Sequence, residues 1–205
     1  MPSLQRALDI LHKQHRVPNV VISSIPLKPW LSSVLPSPIR PQSSSGPSHL
    51  LCISSSLSTL PNGHIPTVDT SIVHAQCVPL IPGYFSGVGD LFSALLLAHF
   101  HPNLEPPTIN ATPLSEAASQ ALTKTYALLH MTQARASALP EEERLPTDDE
   151  LDGEDPMRKT RRMRGRELKL VQGQDILRGI GVRDLKDMMR WDRFWDSDVE
   201  TEASA

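Results

Sequence analysis

The amino-acid sequence predicts an α/β fold built on a buried, mostly parallel sheet. Two stretches carry that prediction. Leu4–His15 places Leu4, Ala7, Leu8 and Leu11 at helical spacing, Pro18 stops the pattern, and the β-branched run Val20-Val-Ile22 follows. An amphipathic helix leading through a short loop into a fully apolar strand is half of an α/β unit of the parallel kind. Further on, Gly87-Val-Gly-Asp90 opens directly into the apolar stretch Leu91–Phe100, a glycine turn at the start of a helix.

The bulk properties set bounds. The 205 residues have room for one medium domain or a large part of a bigger one, and a net charge of −3 gives no global attraction to nucleic acid or to a membrane surface. Cys52 and Cys77 lie far apart in apolar segments, the pattern of buried thiols in a reducing compartment. The first residues lead into an amphipathic pattern without an apolar signal core, and the longest apolar run, Ala94–Ala98, is far short of a bilayer span. The expectation is a cytosolic protein, with the nucleus also open to it. Nineteen prolines and 4% aromatics are a thin inventory for one complete core.

The remaining elements follow in order. Residues 26–48 are rich in proline and serine without periodicity and read as a loop. His49–Ser54 is a second strand, Pro61-Asn-Gly63 a turn, and Ser71–Val78 a third strand. In that third strand Ile72, His74, Gln76 and Val78 share one face, and Val73, Ala75 and Cys77 the other. The helix behind the glycine turn is apolar on nearly all sides and is expected to be central. Pro113–Ala138 is a long helix with a wide apolar face that includes Leu114, Ala117, Ala121, Leu122 and Leu128. Residues 141–166, acidic then basic, read as a charged, disordered linker. Leu168–Val171 reads as a short strand-like segment and Gln174–Ile180 as a helix ended by Gly181. Val182–Trp195 carries Val182, Leu185, Met188, Met189 and Trp195 at helical spacing, a docking helix before a frayed tail.

The chemistry concentrates at the glycine turn. Gly87 and Gly89 let a ligand approach the backbone, and Asp90 falls in the first helical turn, where free N–H groups and the positive end of the dipole favour an anion. A phosphate seated beside a carboxylate is the arrangement phosphoryl transfer needs. The same residues also suit a plainer role, with Asp90 capping the helix and the glycines making the turn. Ser23 and Ser24 stand at the carboxyl end of the first strand, where open α/β sheets bind ligands, and equally could end the strand through local hydrogen bonds. The pairs His12/His15 and His99/His101 have no cysteine or carboxylate set at ligand spacing and read as surface histidines. The Arg158–Arg166 run has acids beside it and no interleaved aromatic platform, which favours a solvated loop over a nucleic-acid surface.

Taken in order, Val20-Val-Ile-Ser-Ser24, Gly87-Val-Gly-Asp90 and Glu167-Leu-Lys-Leu-Val-Gln-Gly-Gln-Asp-Ile176 resemble pyridoxal kinase of the ribokinase-like superfamily, its fungal members most of all. The family's turn is Gly-Thr-Gly-Asp followed by Leu-Phe-Ala-Ala. Here it is Gly87-Val88-Gly89-Asp90 followed by Leu91-Phe92-Ser93-Ala94. The resemblance spans Leu4–Ile25 and His49–Ile180. It implies a three-layer ribokinase-like fold, present as its C-terminal portion over residues 1–181, with a helix and tail over 182–205.

The implied activity is ATP-dependent phosphorylation of pyridoxal, pyridoxine and pyridoxamine at the 5′-hydroxyl in vitamin B6 salvage, with Mg²⁺ neutralising the triphosphate. Asp90 falls on the family's catalytic base, and Gly87, Val88 and Gly89 on its anion hole. Ser23 and Ser24 fall on hydroxyl residues of the nucleotide site, and Val78 and Ile81 on a loop edging it. The resemblance implies a homodimer for the full-length enzyme and neither a nucleic-acid nor a membrane partner. Val88 removes the hydroxyl of the family's threonine, a hydrogen bond worth about 1.5–3 kcal/mol when its partner is charged.

The family's vitamin-binding half precedes the first helix and has no counterpart in Met1–Ser3. Two alternatives therefore stand beside the kinase reading: a truncated, non-catalytic chain, inert or paired with a full-length subunit, and a ribokinase-like kinase for another small alcohol. Half a parallel sheet would also leave an unpaired edge, so self-association of the isolated chain is expected.

Overall fold

The computed structural model describes residues 1–41, 48–57, 71–83, 85–103, 110–140, 149–182 and 184–196. The Pro61-Asn-Gly63 turn lies outside them. The chain divides into two units, one of Met1–Leu80, Phe100–Ala118 and Asp187–Ala205, the other of Ile81–His99 and Ser119–Lys186.

The first unit is a four-stranded sheet in the order β1 (Asn19–Pro26), β2 (His49–Leu57), β3 (Ser71–Pro79), β4 (Met189–Arg190). All three ladders are antiparallel. This corrects the mostly parallel sheet expected from the sequence. A fully apolar run suits a buried parallel strand, but only long crossovers can pair strands that way. Here the successive connections bring each strand back beside its predecessor. β1 is correspondingly an edge strand, with Val20 its one buried residue.

Register explains the packing. Leu51, Ile53 and Ser55 oppose Cys77, Ala75 and Val73 on one face, while Cys52, Ser54 and Ser56 oppose Gln76, His74 and Ile72 on the other. The first face meets helix α1 (Pro2–Asp9), which continues as a π-helical turn through Gln14, and its core includes Leu8, Val20, Leu51, Ile53, Val73 and Ala75. The proline- and serine-rich stretch is not all loop. Pro29 begins helix α2 (Pro29–Val34), a 3₁₀ turn follows at Ser37–Ile39, and Leu31, Leu35 and Ile39 enter this core. Proline presets the helical φ at the first position of a helix, so its presence concealed a helix start. The C-terminal segment docks without forming the expected helix. Trp191, Phe194 and Trp195 make successive edge-to-face contacts at 5.1 and 4.9 Å, and Trp195 Nε1 donates to the Ser71 carbonyl.

The second sheet face of this unit is buried and polar. His74 is buried; its Nε2 lies 2.7 Å from the Asn110 carbonyl and its Nδ1 has no partner among the described residues. Burial, reinforced by Arg190, lowers its pKa against the opposing influences of the Asn110 bond and Asp192. The folded state therefore resists a proton that the unfolded chain takes up near pH 6.5. Stability from this residue is complete above that value and is lost as pH falls below it toward the depressed folded pKa. Denaturation midpoints should drop on acidification through pH 6.5, and His74→Gln should flatten that drop; an unchanged slope would count against His74 as its source. Histidine 12, expected at the surface, is also buried, with Nδ1 2.6 Å from the Val17 carbonyl and Nε2 2.8 Å from Ser55 Oγ. Both thiols are free, and burial raises Cys52 to about 12 and Cys77 to about 11.

The second unit is helical. It holds α3 (Val88–His99), the part of α4 (Pro113–Ser137) from Ser119 onward, α5 (Asp149–Glu154), α6 (Pro156–Arg166) and α7 (Gln174–Leu177). Residues 149–166 are thus largely helical rather than an unstructured linker. The Asp155 side chain accepts from the Met157 N–H, and Pro156 occupies the first helical position, a start signal the charge run obscured. The expected strand at 168–171 reduces to one parallel bridge between Ser86 and Glu167. α7 ends one glycine earlier than expected. Gly179 (φ +81°) closes it, with bonds from Gly179 N–H to Ile176 and from Ile180 N–H to Asp175, the Schellman pattern. A β-carbon on Gly173 would stand 2.1 Å from Leu128 Cδ1. Gly173→Ala is expected to cost about 1–3 kcal/mol by overpacking, read as a lowered denaturation midpoint; a neutral result would show that Leu128 repacks freely.

Candidate active site

The glycine turn sits wholly in the second unit. Gly87 takes φ +83°, which a side chain rarely tolerates, and its carbonyl accepts the Leu91 N–H at 3.0 Å. α3 therefore starts immediately after it. The N–H groups of Val88, Gly89 and Asp90 precede the first intrahelical donor and stay free within the helix. Among the described residues, chain neighbours and the helix's own backbone aside, no atom lies within 4 Å of a β-carbon built on Gly87 or Gly89, which leaves room over the turn for a ligand.

Asp90 is the third residue of α3, not its cap. Its side chain is exposed and forms no hydrogen bond among the described residues. The plain capping role would use that carboxylate locally, and it is not so used. An anion and a carboxylate can share this corner because the helix dipole and free donors offset their repulsion.

Two anchors fix α3. At its start, the Ser86 N–H donates to the Arg166 carbonyl at 3.1 Å and Ser86 bridges Glu167, so two of the three matched sequence segments meet here. At its end, Lys124 Nζ lies 2.9 Å from His99 Nε2 and donates to the Leu177 carbonyl at 2.9 Å. Lys124 is buried, and burial lowers its pKa. His99, expected at the surface, is half-buried here, and Lys124 is not among the residues singled out from the sequence. The signal was present, since Lys124 stands three residues after Ala121 and four before Leu128 on the buried stripe. Between its anchors α3 is less central than its composition predicts: within it only Phe92 is buried and Leu97 is 76% exposed.

Ile81 belongs to this unit and is buried. Ser23, Ser24 and Val78 belong to the first. Val78 is buried in β3. Ser23 and Ser24 do not end β1 but form a bulge within it, one extra residue between the Ile22–Ile53 and Ile25–Leu51 pairs. Ser24 holds φ +62°, a strained value for serine. Both serines are exposed and neither hydroxyl is hydrogen-bonded among the described residues, which removes the local-bonding explanation for them. No three metal-ligating side chains converge among the described residues. No helix there is long and apolar enough to cross a membrane.

The fold is α/β and is shared with solved structures of kinases. Within that class the match is to pyridoxal kinase: the Leishmania donovani enzyme in complex with ADP and pyridoxine superposes with a TM-score of 0.53 at 19% identity, over 93% of this chain and 44% of that one. Its complex with ADP and pyridoxamine gives the same values. A Schizosaccharomyces pombe protein named as a pyridoxal kinase is 29% identical over 153 residues, covering 71% of this chain and 40% of the relative. The chain is thus similar to pyridoxal kinases, and it spans about 40% of the length of that curated relative. No family model matches it.

Proposed function

We propose that this chain carries the phosphoryl-transfer corner of an ATP-dependent kinase acting on the 5′-hydroxyl of pyridoxal and related B6 vitamers. The observation that carries the proposal is the exposed, locally unbonded Asp90 carboxylate beside the free N–H groups of an open glycine turn. Asp90 accepts the proton of the substrate hydroxyl as the hydroxyl oxygen attacks the γ-phosphorus, and the bond from that phosphorus to the β–γ bridging oxygen breaks to release ADP. The Val88 and Gly89 N–H groups face the oxygens of the transferring phosphoryl group, where charge-assisted hydrogen bonds are strongest. Ser23 and Ser24, whose hydroxyls make no hydrogen bond among the described residues, are assigned to the nucleotide on the sequence resemblance, as are Val78 and Ile81. The described residues offer Mg²⁺ no cage of their own; the ion would arrive on the triphosphate oxygens, as it commonly does.

The test is formation of pyridoxal 5′-phosphate from pyridoxal and ATP, with ATP binding measured in parallel. Product is expected. Transfer to a different small alcohol but not to pyridoxal would overturn the substrate, and failure to bind ATP would overturn the site. Val88→Thr restores a hydroxyl donor to the turn and is expected to raise kcat/KM by about tenfold, up to a hundredfold; no gain would show that the backbone donors suffice.

A further inference from the structure

A groove with a volume of about 570 Å³ lies in the second unit, between the C-terminal end of α4, α6 and the turn after it. Arg135, Arg161, Arg164 and Lys169 line it, and among the described residues no acidic side chain does. Leu139 supplies an apolar wall where α6 comes close, its Cδ1 standing 3.4 Å from the position of a β-carbon on Gly165. The four cations are not equally engaged. Arg161 pairs with Asp155 at 2.7 Å, and Lys169 Nζ donates to the Arg164 carbonyl at 2.8 Å. The guanidinium groups of Arg135 and Arg164 make no hydrogen bond or ion pair among the described residues.

Two guanidiniums on separate helices, without a partner among the described residues, and a lysine lining the same groove form a concave cationic clamp. Each guanidinium presents a planar fork of donors that matches two phosphate oxygens at once. The volume suits a small molecule. We propose that this groove binds a small oligophosphate, either free or as the phosphate chain of a nucleotide, at a site separate from the Gly87–Asp90 turn. None of the groove's residues belongs to that turn, so the proposal stands independently of the kinase reading.

The experiment is calorimetric titration of the full chain with tripolyphosphate at low and moderate salt. Binding is expected, weakening as salt screens the charges. Exchanging Arg135 and Arg164 together for glutamine should lower affinity at least tenfold with the circular-dichroism spectrum unchanged, since both side chains are exposed. The control removes the same charge elsewhere, at the exposed Arg178 and Arg193, and should leave affinity within twofold. Equal loss in the two pairs, or no binding by the unsubstituted chain, would overturn the proposal. Tighter binding of hexaglutamate than of tripolyphosphate would also overturn it and assign the groove to an acidic protein segment. Competition by ATP of groove binding, retained in Asp90→Asn, would identify the nucleotide as the source of the phosphate chain; competition by pyrophosphate but not by ATP would identify the free anion.

Discussion

Asp90→Asn is expected to lower pyridoxal phosphorylation by about 10²–10⁴-fold, the usual contribution of a positioned general base. The substitution keeps the shape of the side chain and removes its ability to accept a proton. Because the carboxylate is exposed and makes no hydrogen bond among the described residues, the fold should hardly register the change. The residual effect is the loss of a negative charge in the first turn of α3, worth about 0.3–1 kcal/mol. Nucleotide affinity should stay level or rise slightly, since a charge that repels the triphosphate has gone. The expected signature is a fall in kcat with little change in KM for ATP and an almost unmoved denaturation midpoint. A variant retaining more than a third of the parent rate would remove Asp90 from the chemistry. A large stability loss would instead return it to a capping role.

The parts of this molecule that were legible in the sequence are those set by local backbone chemistry. Val88–His99 follows Gly87 because a glycine with φ +83° ends one chain direction and starts a helix. The helix at Pro113–Ser137 follows from the periodicity of its small and apolar residues. Strand positions were legible too, but not their partners. Val20–Ile22 has the composition of a buried parallel strand and lies instead on an antiparallel edge, because strand direction depends on connections that composition does not encode. Prolines misled in two places. Pro29 and Pro156 sit at first helical positions, where the missing N–H costs nothing, and stretches read as loop or linker proved partly helical.

At the site, the same division holds. The turn and its aspartate were visible as a contiguous motif, whereas the Lys124–His99 contact joins residues 25 apart in sequence, and no local pattern links them. The bulge at Ser23–Ser24 was invisible for a similar reason, since a bulge is defined by the partner strand's register rather than by its own residues.

Arg158→Met is expected to destabilise the second unit by about 3–5 kcal/mol, the range for breaking a buried ion pair. Arg158 Nη1 donates to Asp152 Oδ1, joining α6 to α5, and the two side chains are only 9% and 6% exposed. Neither side chain can turn to bulk water when the other is removed, so the cost is that of a buried charge losing its ion-pair partner rather than of one exposed hydrogen bond. The neighbouring Arg161–Asp155 pair supplies the contrast. At 51% and 48% exposure, water replaces the lost partner, and Arg161→Met should cost no more than about 1 kcal/mol. Burial, not pairing, decides between the two. It follows that removing both charges should be far milder than removing one: Asp152→Leu with Arg158→Met should recover most of the loss, since a packed apolar pair of similar volume is often neutral or better. Denaturant titration of the two single variants and the double variant measures this directly. Recovery on the double substitution would identify a buried charge pair. Additive losses would mean that each side chain is held by packing of its own, and a loss below 1 kcal/mol for Arg158→Met would place the pair in solvent.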